Sequence, residues 1–178
     1  FVCIKGAKWD AHDLIPQVIE AGAVAVVVEK ALENNVLDDI SDDVAVIKTN
    51  STRNALACMS AAFFGHPSTK LVTIGVTGTK GKTTTTYMIK SMLEAAGHKT
   101  GLIGTIESII GDKVTPASNT TPESIVMQRT LKEMVDAGLD SVVMEVSSQG
   151  LMLHRTAGFI FDVGIFTNIE PDHIGPNE

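Results

Sequence analysis

The chain has 178 residues, a formal net charge of −7 and a hydrophobic content of 44%, with few aromatic residues. This composition indicates an ordinary globular core built from aliphatic side chains. The acidic balance argues against nucleic acid as a partner, because phosphate backbones select basic surfaces. The longest unbroken apolar runs, such as 23–28, are far too short to span a bilayer, so we expect no membrane partner.

The first part of the chain predicts a small α/β unit. Its predicted elements are strands at 1–5, 23–29 and 44–48, a helix at 13–21, a polar surface segment at 34–43, and a helix from residue 50 or 51 to 64. The stretch Gly65-His66-Pro67-Ser68 ends the last helix. We therefore place a domain boundary between residues 66 and 67.

The second part alternates strands with helices. The predicted elements are a strand at 71–76, a helix at 83–96, a strand at 100–106, a hairpin turn at 111–112, a helix that starts at Thr121-Pro122-Glu123 and ends at 137, and strands at 141–146 and 162–168. This alternation predicts a mostly parallel sheet with helices on both faces. Ligands of such sheets collect at the carboxyl ends of the strands, where the segments 145–148 and 167–173 are expected to lie.

The strongest chemical signal is the glycine loop, residues 75–84, between a predicted strand and a predicted helix. Such a turn exposes backbone N–H groups to an anion, Lys82 adds a full positive charge, and the Thr83 hydroxyl is a ligand for Mg²⁺. The loop therefore predicts an ATP site. The spacing departs from the standard P-loop, since Val76 stands where glycine is usual, and the alternative is a glycine-rich turn with an unrelated lysine. The residues expected to hold the nucleotide are Gly78, Thr79, Lys80, Gly81, Lys82, Thr83 and Thr84.

Polar residues elsewhere are further site candidates. Glu145 follows an apolar strand, where P-loop enzymes hold Mg²⁺; the alternative is a glutamate at an exposed strand end. His173 and Arg155 are weaker candidates, because lone histidines are usually structural and most arginines are merely solvated. The segment 119–121 offers an amide and two hydroxyls at a helix start, with simple helix capping as the alternative.

Four sequence strings, in this order and spacing, resemble the Mur ligase family: GVTGTKGKTTT, NTTPE, MEVSSQGLMLHR and FTNIEPDHIG. Within it they are most similar to the members that add the third amino acid to UDP-N-acetylmuramoyl-L-alanyl-D-glutamate. The resemblance covers nearly the whole chain. It implies that residues 1–66 are a small N-terminal α/β domain that binds the uridine of the UDP-sugar and lacks its start. Residues 67–178 are then an incomplete central P-loop ATPase domain.

The resemblance also implies a reaction. ATP phosphorylates the free carboxylate of the UDP-sugar dipeptide, and the amine of a diamino acid attacks the acyl phosphate to give an amide, ADP and phosphate. The implied catalytic residues are Lys82, Glu145 and His173, of which Glu145 and His173, with Thr83, hold Mg²⁺. The implied substrate-binding residues are Asn119, Thr120, Thr121, Ser147 and Arg155, and Ala7, Lys8 and Trp9 fall where uridine-domain contacts are expected.

Three positions depart from the family pattern: Lys80, Gln149 and Leu153, where asparagine, histidine and glutamine are common or used. Because the chain begins at Phe1 without methionine, we expect it to be a piece of a longer protein. The family's carbamylated lysine and its C-terminal, amino-acid-selecting domain are expected beyond Glu178. The sequence therefore leaves meso-diaminopimelate and L-lysine open as the added amino acid.

The cysteines, Cys3 and Cys58, lack metal-site spacing, so we expect reduced core residues in a cytoplasmic protein, which is a monomer at full length. Alternatives to the ligase remain. A folylpolyglutamate-synthase-like ligase shares the ATP chemistry, although NTTPE with EVSSQG disfavours it. A GTPase is disfavoured because no guanine-reading NKxD string occurs. The non-enzymatic alternative is a nucleotide-binding regulatory module.

Overall fold

The computed structural model describes residues 1–30 and 43–171. Contacts divide the chain into two compact units, residues 1–56 and 57–178. This division falls ten residues before the predicted domain boundary, and the functional assignment of the two predicted domains stays a prediction. Nearly all of the predicted polar segment 34–43 lies outside the described residues, and so does His173.

The first unit is a small α/β arrangement. A 3-10 turn at Ala11–Leu14 leads into α1 (Ile15–Glu20), and β1 (Ala25–Val28) pairs in parallel with β2 (Ala45–Lys48). The predicted strand 1–5 is present only as isolated bridges, of which one joins Val2 to Val27. The buried core of this unit consists of Cys3, Ile15, Val26 and Val28.

Asp10 organises the turn before α1. Its carboxylate accepts hydrogen bonds from the His12 backbone N–H at 3.0 Å, the His12 Nδ1 at 2.5 Å and the Lys30 ammonium at 3.0 Å. The buried His12 ring in turn accepts the Glu29 N–H through Nε2, at 3.2 Å. These hydrogen bonds, first those from His12 and then that from Lys30, hold the pKa of Asp10 well below its usual range.

The second unit is built on a six-stranded sheet. Its elements are α2 (Thr52–Phe63), which begins before the division, a 3-10 turn (Pro67–Lys70), β3 (Val72–Thr77), α3 (Lys82–Ala95), β4 (Thr100–Ile103), β5 (Glu107–Ile110), β6 (Lys113–Pro116), α4 (Ser124–Asp136), β7 (Ser141–Glu145), α5 (Ser148–Met152) and β8 (Val163–Phe166). The strand order is β6-β5-β4-β7-β3-β8. Strands β4, β7, β3 and β8 are parallel, whereas β5 and β6 form an antiparallel edge. The predicted α/β fold with a mostly parallel sheet is confirmed.

The central strand β7 is covered by helices on both sides. Val142 and Met144 pack in the cluster that holds Met127, Leu131 and Met134 of α4. Val143, which points the other way, packs with side chains of β3 and α3, namely Ile74, Val76, Ile89 and Leu93. Burial on both faces explains why this strand is an unbroken apolar run rather than an alternating one.

Several predicted ends in this unit differ from the observed ones by one to three residues, and two of them lie near the site. Strand β4 ends at Ile103 instead of residue 106, because the chain turns there towards β5. Helix α4 begins at Ser124 with Glu123 at its N-cap position, so the predicted cap, Thr121, is two residues too early. The Thr121 hydroxyl is used elsewhere, as described below. The predicted hairpin turn at 111–112 joins β5 to β6.

The topology places three segments at one edge of the sheet. β3 lies between β7 and β8, and all three run in the same direction, so their carboxyl ends meet. The glycine loop follows β3, and Glu145 ends β7. In the parts of the chain that the structure describes, no helix has the length and apolar character needed to cross a membrane.

Candidate active site

Two glycines of the loop are required by its geometry. Gly78 has a φ of +131°, and a Cβ atom there would lie 2.2 Å from the Thr167 hydroxyl oxygen. Gly81 stands at the N-cap of α3 with a φ of +83°. Residues with side chains rarely adopt either φ value, so glycine allows the chain to turn from β3 into α3 within a few residues.

The segment after β8 holds the loop in place. The Asn168 carbonyl accepts the Thr79 N–H at 3.0 Å, and its side-chain amide accepts from the Lys80 N–H and donates to the Lys80 carbonyl, both at 3.0 Å. Thr167 donates to the Lys80 carbonyl at 2.8 Å, and Glu170 forms an ion pair with the Lys80 ammonium. The sequence predicts that residues 167–173 lie at this edge, but its pattern indicates no role for Thr167, Asn168 or Glu170. Two N–H groups of the predicted phosphate cradle are thus bonded to Asn168.

Lys82 lies over its own loop. Its ammonium donates to the Gly78 carbonyl at 2.6 Å and to the Thr79 carbonyl at 3.0 Å. The side chain therefore closes the loop on itself, and its role in phosphate binding stays a prediction. Beside it, the first N–H groups of α3 have no acceptor within the helix, which is the general property that suits a helix start to anions.

Glu145 is almost fully buried, with 1% of its surface exposed. One carboxylate oxygen, Oε2, accepts from the Thr83 and Thr105 hydroxyls, each at 3.0 Å, and Oε1 accepts from the Thr105 N–H at 2.8 Å. The alternative of an exposed glutamate at a strand end is therefore wrong. None of these hydrogen bonds comes from a charged donor, and a buried carboxylate without a cation is costly.

The pair of Thr83 and Glu145 fits a magnesium ion. A hydroxyl and a carboxylate are oxygen ligands of the kind that Mg²⁺ prefers, and Mg²⁺ usually takes only one or two carboxylates from the protein, with waters and phosphates as its other ligands. Consistently, residues 1–30 and 43–171 contain no group of three or more His, Cys, Asp or Glu side chains placed to hold a metal. Neither Thr105 nor its bonds to Glu145 was predicted, because nothing in the pattern around this threonine marks it.

Thr121 connects the 119–121 segment to the end of β7. It is fully buried, and its hydroxyl donates to the Glu145 backbone carbonyl at 3.0 Å and accepts from the Ser147 N–H at 2.9 Å. The Ser147 hydroxyl accepts from the Gly150 N–H at 3.0 Å and caps α5. Thr121 therefore connects the 119–121 segment to the end of β7 through hydrogen bonds, and it does not cap α4.

Arg155 faces the same segment. Its guanidinium donates to the Thr121 carbonyl at 3.0 Å and forms an ion pair with Glu123 at 2.5 Å, and only 11% of its side chain is exposed. Its Nε is buried and has no hydrogen-bond partner among the residues that the structure describes. Arg155 is therefore not a solvated surface charge.

The remaining predicted residues differ in their placement. Thr120 is half-buried, and its hydroxyl oxygen lies 3.0 Å from that of Thr105. Asn119 and Thr84 are exposed. The structure thus brings the glycine loop, Thr83, Thr120, Thr121, Glu145, Ser147 and Arg155 to one edge of the sheet. Their roles stay predictions.

A cavity of about 810 Å³ adjoins this edge. Its lining includes Thr83, Tyr87 and Glu107, with Met88 and Ile106 as apolar wall. The Tyr87 hydroxyl donates to Glu107 at 2.7 Å, and burial together with this hydrogen bond raises the pKa of Tyr87 to about 12. The sequence does not predict this cavity, because α3 and the turn after β4 form it only when the fold brings them together.

A glycine loop between the first central strand of a parallel sheet and a helix, beside a buried acid on the neighbouring strand, defines the class of P-loop-like α/β domains. The chain belongs to the Mur ligase family, because the profile of the Mur ligase middle domain matches residues 76–176.

Curated relatives match along almost the whole chain. The UDP-N-acetylmuramoyl-L-alanyl-D-glutamate--2,6-diaminopimelate ligase of Clostridium perfringens is 48% identical over 174 residues, which are 98% of this chain and 35% of that protein. The ligase of the same name from Geobacillus thermodenitrificans is also 48% identical, over 98% of this chain and 34% of that protein. The chain therefore spans about one third of the length of these relatives.

Solved structures agree on the fold. A structure of a UDP-N-acetylmuramoyl-L-alanyl-D-glutamate--2,6-diaminopimelate ligase matches 99% of this chain and 34% of its own, with a TM-score of 0.79 and 22% identity. The MurF ligase of Thermotoga maritima in complex with ADP matches 94% of this chain and 34% of its own, with a TM-score of 0.51 and 23% identity. At these identities the likeness shows the fold alone.

Proposed function

We propose that the full-length protein containing this chain is an ATP-dependent ligase of peptidoglycan precursor synthesis. It joins a diamino acid to UDP-N-acetylmuramoyl-L-alanyl-D-glutamate in the cytoplasm, where both nucleotides are available. The observation that carries the proposal is the buried Glu145, which is bonded to Thr83 at the start of α3 and, among residues 1–30 and 43–171, to no charged donor. The names of relatives at 48% identity favour 2,6-diaminopimelate over L-lysine as the amino acid.

The reaction has two steps. An oxygen of the D-glutamate carboxylate attacks the γ-phosphorus of ATP, so that one O–P bond forms, one breaks, and ADP leaves. The amine of the diamino acid then attacks the acyl carbon; a C–N bond forms, the bond to phosphate breaks, and the nitrogen loses a proton. Both steps depend mainly on charge neutralisation and on holding the reactants in line.

The residues of the glycine loop hold the triphosphate in this proposal. Lys82 leaves the carbonyls that it now contacts and pairs with the β- and γ-phosphates. Thr83 and Glu145 hold Mg²⁺, which when bound neutralises charge on the phosphate oxygens. Glu145 is buried, and the hydrogen bonds that it accepts from Thr83 and Thr105 come from neutral donors, which supports its assignment as a metal ligand. His173, by the family resemblance, holds a second Mg²⁺.

The substrate side of the proposal lies next to the metal side. Asn119, Thr120, Ser147 and Arg155 bind the UDP-sugar dipeptide, while Thr121 holds their segment to β7. The hydrogen bond from the Thr121 hydroxyl to the Glu145 backbone carbonyl, and the contact of Thr120 with Thr105, which itself bonds the Glu145 carboxylate, support a carboxylate substrate placed beside the phosphate that it attacks. The uridine contacts belong to residues 1–66, and Trp9, which is 84% exposed, offers a ring on which a base can stack.

The test uses the full-length protein with ATP, the UDP-sugar dipeptide and either diamino acid, and measures ADP release and product mass. We expect product with 2,6-diaminopimelate. Lys82→Ala and Glu145→Gln should each lower turnover by about 10²-fold, since the first removes a positive charge aimed at the transferring phosphate and the second removes the charged ligand of the Mg²⁺ that would neutralise it. The matched control is Lys70→Ala, which removes an exposed lysine outside the site.

Three outcomes would contradict the proposal. Near-normal turnover of Lys82→Ala would mean that the loop does not hold the triphosphate. Transfer of glutamate to a folate substrate would favour the folylpolyglutamate-synthase-like alternative. Nucleotide binding without turnover of any of these substrates would favour a regulatory module.

A further inference from the structure

We propose that Thr105 is a positioning residue that ties the Glu145 carboxylate to Thr120, so that binding of the metal–nucleotide and of the UDP-sugar are coupled. The inference rests on the proposed function of Glu145 and of the 119–121 segment. It goes further, because Thr105 is part of neither the loop nor the predicted substrate-binding set.

The turn after β4 is shaped around the carboxylate. Thr105 reaches both oxygens of Glu145, with its N–H at 2.8 Å from Oε1 and its hydroxyl at 3.0 Å from Oε2. The preceding residue is Gly104, where a Cβ atom would lie 2.7 Å from Oε1. A side chain at residue 104 would have to displace the carboxylate, so glycine allows the turn to lie close to Glu145. Two of the three hydrogen bonds that fix the carboxylate therefore come from one residue.

The hydroxyls around Glu145 have a defined direction. A carboxylate only accepts, so Thr83 and Thr105 both donate their protons to Oε2. The Thr105 hydroxyl is placed to donate both to Glu145 Oε2 and to the Thr120 oxygen, each at 3.0 Å, but it has only one proton. Because the charged carboxylate is the stronger acceptor, this proton goes to Glu145, and the Thr120 hydroxyl then donates to Thr105. The result is a series of hydrogen bonds in which Thr120 donates to Thr105 and Thr105 donates to Glu145.

This series of hydrogen bonds couples binding of the metal–nucleotide to binding of the UDP-sugar, because hydrogen bonds in series polarise one another. The charge on Glu145 polarises the Thr105 hydroxyl and makes its oxygen a stronger acceptor for the Thr120 proton. A cation at Glu145 reduces that effect, which releases the Thr120 proton for an anionic group of the UDP-sugar. By thermodynamic reciprocity, the bound UDP-sugar strengthens cation binding by the same factor.

Thr105 can be tested without disturbing the fold. Thr105 is exposed, and the side-chain hydrogen bonds that the structure gives it are those to Thr120 and Glu145. Thr105→Val keeps the shape and the backbone bond to Oε1 but removes the hydroxyl. Thr105→Ser restores the hydroxyl. Thr130→Val is a matched control, because the Thr130 hydroxyl bonds only the Val126 carbonyl of its own helix among the described contacts.

The experiment measures Mn²⁺ binding to the full-length protein by electron paramagnetic resonance, with ADP present and with or without the UDP-sugar dipeptide. We expect the UDP-sugar to tighten Mn²⁺ binding of the wild type, Thr105→Ser and Thr130→Val by about fivefold or more, and Thr105→Val to lose most of this factor. A structural role alone would shift stability but leave the factor unchanged.

Two results would overturn the inference: a wild type without coupling, or a Thr105→Val variant with the coupling of the wild type. Glu145→Gln separates this failure from failure of the proposed function. If Glu145→Gln binds Mn²⁺ like the wild type, Glu145 is not a metal ligand and the proposed function loses its support. If Glu145→Gln loses Mn²⁺ while Thr105→Val keeps the coupling, only the inference about Thr105 fails.

Discussion

Arg155 is predicted to bind substrate, yet its described contacts are with the protein. It bonds the Thr121 carbonyl and Glu123, and one buried nitrogen, Nε, has no hydrogen-bond partner within the described part of the chain. We predict that Arg155→Ala raises the KM for the UDP-sugar about tenfold or more, since a charge-assisted bond is worth about 1.5–3 kcal/mol, and leaves the KM for ATP almost unchanged. Steady-state kinetics of the full-length protein measure both constants.

Glu123→Gln separates direct binding from support of the segment. This variant weakens the partner of Arg155 but leaves the arginine itself. A rise in the UDP-sugar KM in both variants indicates that Arg155 acts by holding residues 121–123. A rise confined to Arg155→Ala indicates direct contact with the substrate. If neither variant changes this KM, the predicted substrate role of Arg155 is wrong.

Asp10 gives the first unit a defined pH dependence. Hydrogen bonds from His12 and Lys30 lower its pKa in the folded state, whereas in the unfolded chain it titrates near its ordinary value of about 3.9. A lowered folded pKa stabilises the fold above the unfolded pKa, and this stability is lost as the pH falls below about 4. We therefore predict that the unit loses stability between about pH 4 and pH 2.

Asp10→Asn tests this prediction. At neutral pH the variant should be less stable by about 1 kcal/mol or more, and its stability should depend less on pH below 4. Urea unfolding followed by the fluorescence of the single tryptophan, Trp9, reports on this unit. Asp13→Asn, on an exposed residue of the same turn, is the control for net charge. The same slope in Asp10→Asn and the wild type would contradict the assignment.

The predictable part of the site follows from the topology. Thr83 and Glu145 could be paired from the sequence, because the carboxyl ends of neighbouring parallel strands meet at one edge. The contacts of Thr105 and Asn168 could not. They depend on how two turns approach the ends of β7 and β3, and such turns show no hydrophobic period. Thr121 was misplaced because threonine before proline and glutamate is a strong helix-start pattern that a buried tertiary contact overrides.

At the scale of elements, the order and type of the strands and helices followed from periodicity, but the ends of several did not. Strand β4 is shorter than predicted, because residues 104–105 leave the sheet to surround Glu145. The first predicted strand, 1–5, is reduced to bridges, since its pairing with β1 involves Val2 alone. Apolar patterning predicts which face is buried and does not fix where backbone pairing stops.

Two paired glycines of the parallel sheet differ in what they pack against. Gly75 of β3 is paired in register with Gly164 of β8. A Cβ atom on Gly75 would lie 2.7 Å from the Phe161 ring, which packs on Phe159 at 4.4 Å, whereas nothing lies within 4 Å of one on Gly164. We predict that Gly75→Ala lowers the free energy of unfolding by about 1–3 kcal/mol, because the ring must shift.

Gly164→Ala is the matched control for this change. It adds the same methyl group to the neighbouring strand in open space, so its effect on stability should be within about 0.5 kcal/mol. Chemical denaturation of both variants measures the difference. Equal effects of the two substitutions would mean that the contact of Gly75 with Phe161 does not limit the packing of this sheet.

At the scale of the whole molecule, the relevant property of the chain is how much of its relatives it covers. It spans about one third of relatives named as 2,6-diaminopimelate ligases, with 34–35% of their length covered. The described residues include the glycine loop, Glu145 and the 119–121 segment. The resemblance assigns the carbamylated lysine and the amino-acid-selecting domain to sequence beyond residue 178.

We therefore predict that residues 1–178 alone form no detectable amide product with ATP, the UDP-sugar dipeptide and either diamino acid. Holding both substrates in reacting geometry can supply about 7–11 kcal/mol of the barrier, and the family resemblance places the amino-acid-selecting domain outside residues 1–178. Weak binding of Mg²⁺–ADP should survive, because β3, the loop and α3 are all present. Calorimetry with Mg²⁺–ADP and mass analysis of the reaction mixture measure the two properties separately. Lys82→Ala in the same chain is the control, and it should abolish the nucleotide binding. Amide product at a rate typical of enzymes would show that the missing sequence is not needed for catalysis, since the geometry would then be complete within these residues.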